Sequence, residues 1–280
     1  MERTWFCDTA RTMKISLLSG AILLTTLAVS SVPAHARIIT QLVDYKEGDT
    51  TLQGYLAYDN LFKGKRPGVL VAHQWKGLGN YEESRARMLA QMGYVAFALD
   101  LYGKGVRPKD AKEAGTLAGT FKADRPLWRR RAQAALETLR AQSNVDAKKL
   151  AIIGYCLGGG TALELARSGA DLRGFVSFHG SLDTPTPADA KNIKGEVLVL
   201  HGAIDPFSPP EQVEALRKEL SDAKVPFEIN LYGGAVHSFT ERDAGNDISK
   251  GAAYNEKADR RSWQAMRNFF TEIFGGNSSQ

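Results

Sequence analysis

The chain has 280 residues and a formal net charge of +5, and it is 43% hydrophobic, 24% charged and 9% aromatic. Those values exclude collagenous, low-complexity and intrinsically disordered classes, and a chain this long buries a sizeable core without disulfide staples. The positive excess is spread along the sequence, and its densest run, Arg129-Arg130-Arg131, reads as a solvated helix face rather than a nucleic-acid patch.

In chain order, the first 36 residues differ from the rest. Arg3, Arg11 and Lys14 form a basic region, Ile15 to Val32 is mostly apolar, and Ala34-His35-Ala36 is a small-x-small cleavage pattern. Together they read as a cleaved secretory signal peptide over 1–36, with translation starting at Met1 or Met13, which leaves residues 37–280 as a single domain. The expected location is periplasmic or secreted, without stable membrane insertion after cleavage. Ile38–Asp44 and Thr51–Tyr58 then read as two strands joined at Gly48-Asp49. Gly68–His73 and Val95–Leu99 are short continuous apolar runs, typical of strands buried on both faces. Between them Asn80–Met92 has helical character and ends at Gly93. Pro126–Ser143 is an amphipathic helix with Trp128, Ala132, Ala135, Leu136 and Leu139 on its core face. Leu150–Gly154 is a strand followed by a helix from about Gly158 to Arg167. Strands follow at Gly174–His179, Val197–Gly202 and Phe227–Leu231, with helices near Pro209–Ala223 and Asn255–Phe274. Alternating strands and helices predict a largely parallel sheet covered on both faces, with antiparallel pairing at the N-terminal edge. The tail Gly275–Gln280 reads as frayed.

Of the two cysteines, Cys7 falls in the expected leader, so Cys156 is the lone thiol after cleavage. In an oxidising compartment such a thiol is a liability unless buried or used. Its setting, Gly154-Tyr155-Cys156-Leu157-Gly158 between an apolar strand and a helix, is the nucleophile-elbow pattern with Cys in place of Ser. The glycines on either side leave room where strand and helix backbones approach. The helix N-terminus favours a thiolate, and the Leu157 N–H suits an oxyanion hole.

Acid and base follow the nucleophile in this pattern. Asp205 follows the strand that ends at His201-Gly202, and His237 lies in the Gly-containing loop after Phe227–Leu231. Chain order disfavours His73, His179 and His201, which read as structural hydrogen-bonding groups. A second oxyanion donor is expected from the loop after His73, with the Trp75 N–H as the choice. No Cys/His cluster reads as a zinc site and no Walker-type loop is present, so neither a metal nor a cofactor is expected.

With these residues assembled, the chain resembles the dienelactone hydrolase family of the α/β-hydrolase superfamily from about Val43 to Phe274. The resemblance rests on H-Q-W-K-G-L at 73–78, A-L-D-L-Y-G at 98–103, G-Y-C-L-G-G at 154–159, H-G-A-I-D-P at 201–206 and H-S-F at 237–239. It implies an α/β-hydrolase fold, a monomer, a Cys156-Asp205-His237 triad, an oxyanion hole from the N–H groups of Trp75 and Leu157, and a small-molecule ester or lactone substrate. Gln74 replaces the family's glutamate, and Gly103-Lys104 and Glu241, with Arg242 next, replace its carboxylate-gripping arginines. These departures point away from dienelactone itself. Gln74, Tyr102, Lys104, Phe207, Phe239 and Glu241 are the expected substrate-pocket residues, with Trp75 and Phe121 as further candidates. A thioesterase or peptidase on the same scaffold and a non-catalytic binding protein are the alternatives; the intact Cys, Asp and His set argues against the last.

Overall fold

The structure, a computed structural model, describes residues 38–275. The expected leader, its cleavage site and the residues after 275 lie outside the described residues. Eight strands form one sheet: β1 (Ile38–Glu47), β2 (Thr50–Asp59), β3 (Arg66–Ala72), β4 (Val95–Leu99), β5 (Val145–Tyr155), β6 (Gly174–Phe178), β7 (Glu196–Gly202) and β8 (Phe227–Tyr232). Their order is β1-β2-β4-β3-β5-β6-β7-β8. β2 pairs antiparallel with β1 and with β4, and every other neighbour is parallel. This is the α/β-hydrolase fold, with the expected antiparallel N-terminal edge.

Among the described residues, six α-helices cover the sheet: α1 (Asn80–Gln91), α2 (Ala111–Ala123), α3 (Arg125–Arg140), α4 (Leu157–Arg167), α5 (Pro210–Asp222) and α6 (Glu256–Phe274). Strand alternation divides the core. Leu70, Ala72 and Ile152 face the side covered by α2, α3, α4 and α5, whereas Val69, Val71 and Ile153 face α1 and α6. That burial on both faces explains why the central strands are unbroken apolar runs rather than alternating ones.

Three departures from the sequence pattern have clear causes. The pattern assigns no element between Leu99 and Pro126, yet α2 is there. Its start is marked by Asp110, which accepts a hydrogen bond from the Glu113 N–H at 2.8 Å, while Glu113 reaches back to the Lys109 N–H at 2.8 Å. Gly115 and Gly119 weaken its helical signal. β5 begins at Val145, five residues ahead of the expected Leu150, because Val145 and Asp146 pair with Arg66 and Pro67 across an irregularity before Gly68. The Arg129-Arg130-Arg131 run is a solvated face only in part, since Arg130 is exposed. Arg131 is buried, with its guanidinium 2.9 Å from Glu47, the Leu101 carbonyl and the Thr50 hydroxyl. Arg130 meets Glu47 at 2.8 Å, and Arg129 bridges Glu164 and Asp189 at 2.9 and 2.8 Å. Helical periodicity places these residues on one helix, but only the packing shows that carboxylates lie opposite.

Glu164 is fully buried and accepts from Arg125 (3.3 Å), Arg129 (2.9 Å) and Arg167 (3.0 Å). Arg167, itself 1% exposed, also forks onto Glu219 at 2.8 and 2.9 Å. Removing one partner of such a pair strands a buried charge. Arg167→Ala is therefore expected to lower unfolding free energy by about 3 kcal/mol or more, measured by urea denaturation, with Arg167→Met costing less.

Candidate active site

Cys156 lies where β5 passes into α4, with φ +55° and ψ −114°. A left-handed φ is unfavourable for a residue bearing a Cβ, and the surroundings enforce it. The Cys156 N–H donates to the Phe178 carbonyl at 3.1 Å, and its own carbonyl accepts from Gly159 at 3.0 Å. A Cβ on Gly154 would lie 1.9 Å from the Gly158 carbonyl oxygen, and one on Gly158 would lie 2.1 Å from the Ala72 carbonyl oxygen. Only glycine at both places lets strand and helix meet this closely.

His237 and Asp205 come from the loops after β8 and β7, at the same carboxyl edge of the sheet. The His237 Nδ1–H donates to Asp205 Oδ2 at 2.8 Å, which turns Nε2 away from the carboxylate. The Asp205 Oδ1 accepts the Phe207 N–H at 2.8 Å and is thereby fixed. Burial disfavours a charged His237 ring, but negative charge on Cys156 and the hydrogen bond to Asp205 outweigh it and lift the pKa to about 10. The stabilisation carried by this raised value is complete below the ordinary value of 6.5 and is lost as the pH climbs through about 10. Urea midpoints of the wild type should therefore fall across that alkaline window more than those of His237→Gln; equal slopes would contradict it.

The other described histidines have structural partners. Burial presses His73 down to about 4, so it is neutral near pH 7. It accepts the Leu101 N–H at 3.1 Å on Nε2 and donates from Nδ1 to the Gln74 carbonyl at 2.6 Å. His201 Nε2 contacts the Ser208 carbonyl at 2.9 Å, and His179 Nε2 contacts Thr240 Oγ1 at 2.8 Å.

Cys156 and His237 open onto one cavity of about 360 Å³. Trp75, Leu157 and Phe207 also line it. The N–H groups of Trp75 and Leu157 have no protein acceptor among the described residues, so both are available to a developing oxyanion. Tyr102 does not line the cavity; its hydroxyl donates to the Trp75 carbonyl at 2.8 Å and braces the loop from behind. Lys104 reaches Asp44 at 2.5 Å, on the exposed edge of the sheet. Phe239 is fully buried against Tyr232 and His179, and Phe121 is buried between Tyr102 and Trp128. Gln74 and Glu241 wall a different cavity of about 660 Å³, which several charged residues also line. There burial raises the pKa of Glu241, and it pushes Glu82 up to about 7.

What sequence reasoning missed is the wall made by Gly115, Ala118, Gly119 and Lys122 of α2, together with Ser181, Ser208, Ser238 and Ala252. The i, i+4 glycine spacing was the available signal. A Cβ on Gly119 meets nothing within 4 Å, so Gly119→Leu should occupy cavity space. The expected result is a fall in kcat/KM for bulky acyl esters of about tenfold or more, with acetate esters little changed.

A family model described as the dienelactone hydrolase family matches residues 52–274. The chain belongs to that family. It is thus a hydrolase acting on ester or lactone bonds. A relative from Salmonella typhimurium, provisionally named carboxymethylenebutenolidase, is 30% identical over 239 residues, covering 82% of this chain and 85% of that protein. A solved dienelactone hydrolase-like promiscuous phosphotriesterase from metagenomic libraries is 42% identical, with a TM-score of 0.80, covering 85% of this chain and 99% of its own.

Proposed function

We propose that this family member is an exported carboxylic-ester or lactone hydrolase, acting as a monomer, whose nucleophile is Cys156, base His237 and orienting acid Asp205. The observation that carries the reading is the convergence, at one cavity, of a thiol on a strained strand-to-helix turn and an imidazole whose far nitrogen is held by a buried carboxylate. The thiolate attacks the substrate carbonyl, and the resulting oxyanion takes the N–H groups of Trp75 and Leu157. Collapse forms a thioester to Cys156 as the leaving oxygen takes the proton from His237. Water, deprotonated by His237, then releases the acid and restores the thiol.

The cavity wall is mostly apolar, and Lys122 is the one charged side chain lining it besides the His237 ring. Export is read from the basic, apolar and small-x-small segments ahead of Arg37. The test is a panel of p-nitrophenyl esters and lactones, with a phosphotriester arm suggested by the metagenomic relative. Each reaction is quenched in acid and the Cys156 peptide weighed. An acyl mass on Cys156 supports the thioester route; turnover with no adduct on a slow substrate counts against it. Peptide cleavage without ester cleavage would favour the peptidase alternative. Fractionation of expressing cells, with N-terminal sequencing that begins at Arg37, tests export.

A further inference from the structure

His179 follows β6 in an unusual state. It is fully buried, its φ is +38°, and its Nδ1 has no partner among the described residues. A left-handed backbone at a non-glycine residue persists only where the surroundings over-determine it, and such strain gathers at working sites. The neighbourhood supplies the reason. The carbonyl of the preceding Phe178 holds the Cys156 N–H at 3.1 Å, and the His179 N–H is tied to the Leu200 carbonyl on β7 at 2.8 Å. The His179 ring meets the His237 ring edge-on at 5.2 Å between centroids, and meets Phe239 at 5.1 Å. The imidazole proposed as base thus rests against this second imidazole, and Phe207 also meets it edge-on at 5.3 Å.

The hydrogen bonds of His179 lead outward along a chain. Its Nε2 faces Thr240 Oγ1 at 2.8 Å; Thr240 Oγ1 faces the Tyr81 hydroxyl at 2.6 Å; Arg85 donates to Tyr81 at 3.2 Å and to the Thr240 carbonyl at 3.1 Å, and pairs with Asp259 at 2.9 Å. Thr240 lies three residues past His237, so this chain fastens the base loop to α1 and α6. The charged and titratable groups around His179 are His237 and His201 from the loop side and sheet end, Tyr155 on β5, and Tyr81 and Arg85 on α1. Burial first, then His237 and His201, hold the His179 pKa well below the ordinary histidine value. It therefore stays neutral beside a His237 that becomes cationic.

We propose that His179 is a positioning residue for the base: its ring sets the plane of His237, and its hydrogen bond to Thr240 locks the loop that carries it. The inference rests on the reading of Cys156 and His237 as nucleophile and base. A ring displaced by about 1 Å can cost on the order of a hundredfold in rate.

The test compares His179→Phe, which keeps a planar ring but loses the bond to Thr240, with Thr240→Val, which breaks the same bond from the other side. Both should lower kcat for a p-nitrophenyl ester by about tenfold or more while KM moves less than about twofold. The double variant should lose no more than the worse single one, as expected when two changes remove one interaction. The His237 ring, titrated by NMR without substrate, should lose its proton below the wild-type value of about 10. Folded variants with wild-type kcat and an unmoved His237 titration would overturn the proposal. Should His179→Phe fail to fold, Thr240→Val carries the comparison alone. An active Cys156→Ala protein would instead overturn the underlying triad, a result distinct from an unaffected His179→Phe enzyme.

Discussion

Cys156→Ala is expected to lower ester turnover by at least about 10⁴-fold without unfolding the protein. The side chain lost is small, half-buried and lines the cavity, so little packing goes with it. The backbone conformation is imposed by neighbours that remain, namely the Phe178 carbonyl and the two flanking glycines. What disappears is the atom proposed to form the acyl bond. The Trp75 and Leu157 donors and the His237–Asp205 pair stay in place, so a small residual rate from water attack is expected rather than none. Circular dichroism alongside steady-state kinetics checks both halves. An alanine protein with more than a tenth of wild-type activity would remove Cys156 from the mechanism. Iodoacetamide should label the wild type at this residue in the folded state and block turnover in the same proportion.

Gly158→Ala should be among the most damaging single methyls in the described domain. The new Cβ would lie 2.1 Å from the Ala72 carbonyl oxygen and 2.9 Å from that of His73. Both atoms belong to the backbone leading into the Trp75 loop, so no side-chain rotation relieves the clash. Either α4 lifts from β3 or the loop moves, and each disturbs the elbow. A loss of about 4 kcal/mol or more is expected, which lowers Tm by about 10 °C. Gly119→Ala is the matched control. Its Cβ meets nothing within 4 Å, and replacing a mid-helix glycine should stabilise the protein by up to about 1 kcal/mol. Thermal unfolding of the two variants should thus move in opposite directions. A Gly158→Ala protein as stable as the wild type would contradict the close approach.

The order of elements, the parallel centre of the sheet and the antiparallel edge were legible because both-face burial leaves unbroken apolar runs such as Val95–Leu99. The elbow was legible because its steric requirement falls on consecutive residues, Gly154 to Gly158. Asp205 and His237 could be chosen because strand ends in a parallel sheet share one edge, so chain order and position narrow the field. The pocket was far less legible. Tyr102 and Phe239 have the right chemistry and lie close in sequence to site residues, yet one braces Trp75 from behind and the other fills the core. Lys104 turns to Asp44 on a neighbouring strand. None of these directions is encoded locally.

Cys156, its flanking glycines and its place between strand and helix were thus determined by the sequence itself, since a strained turn and its small neighbours are contiguous. Only the tertiary structure decided that α2 supplies a cavity wall, that Arg131 is buried on Glu47, and that His179 rests against His237. Each of those depends on which side chains distant segments bring together, and periodicity specifies a face but not what lies opposite it.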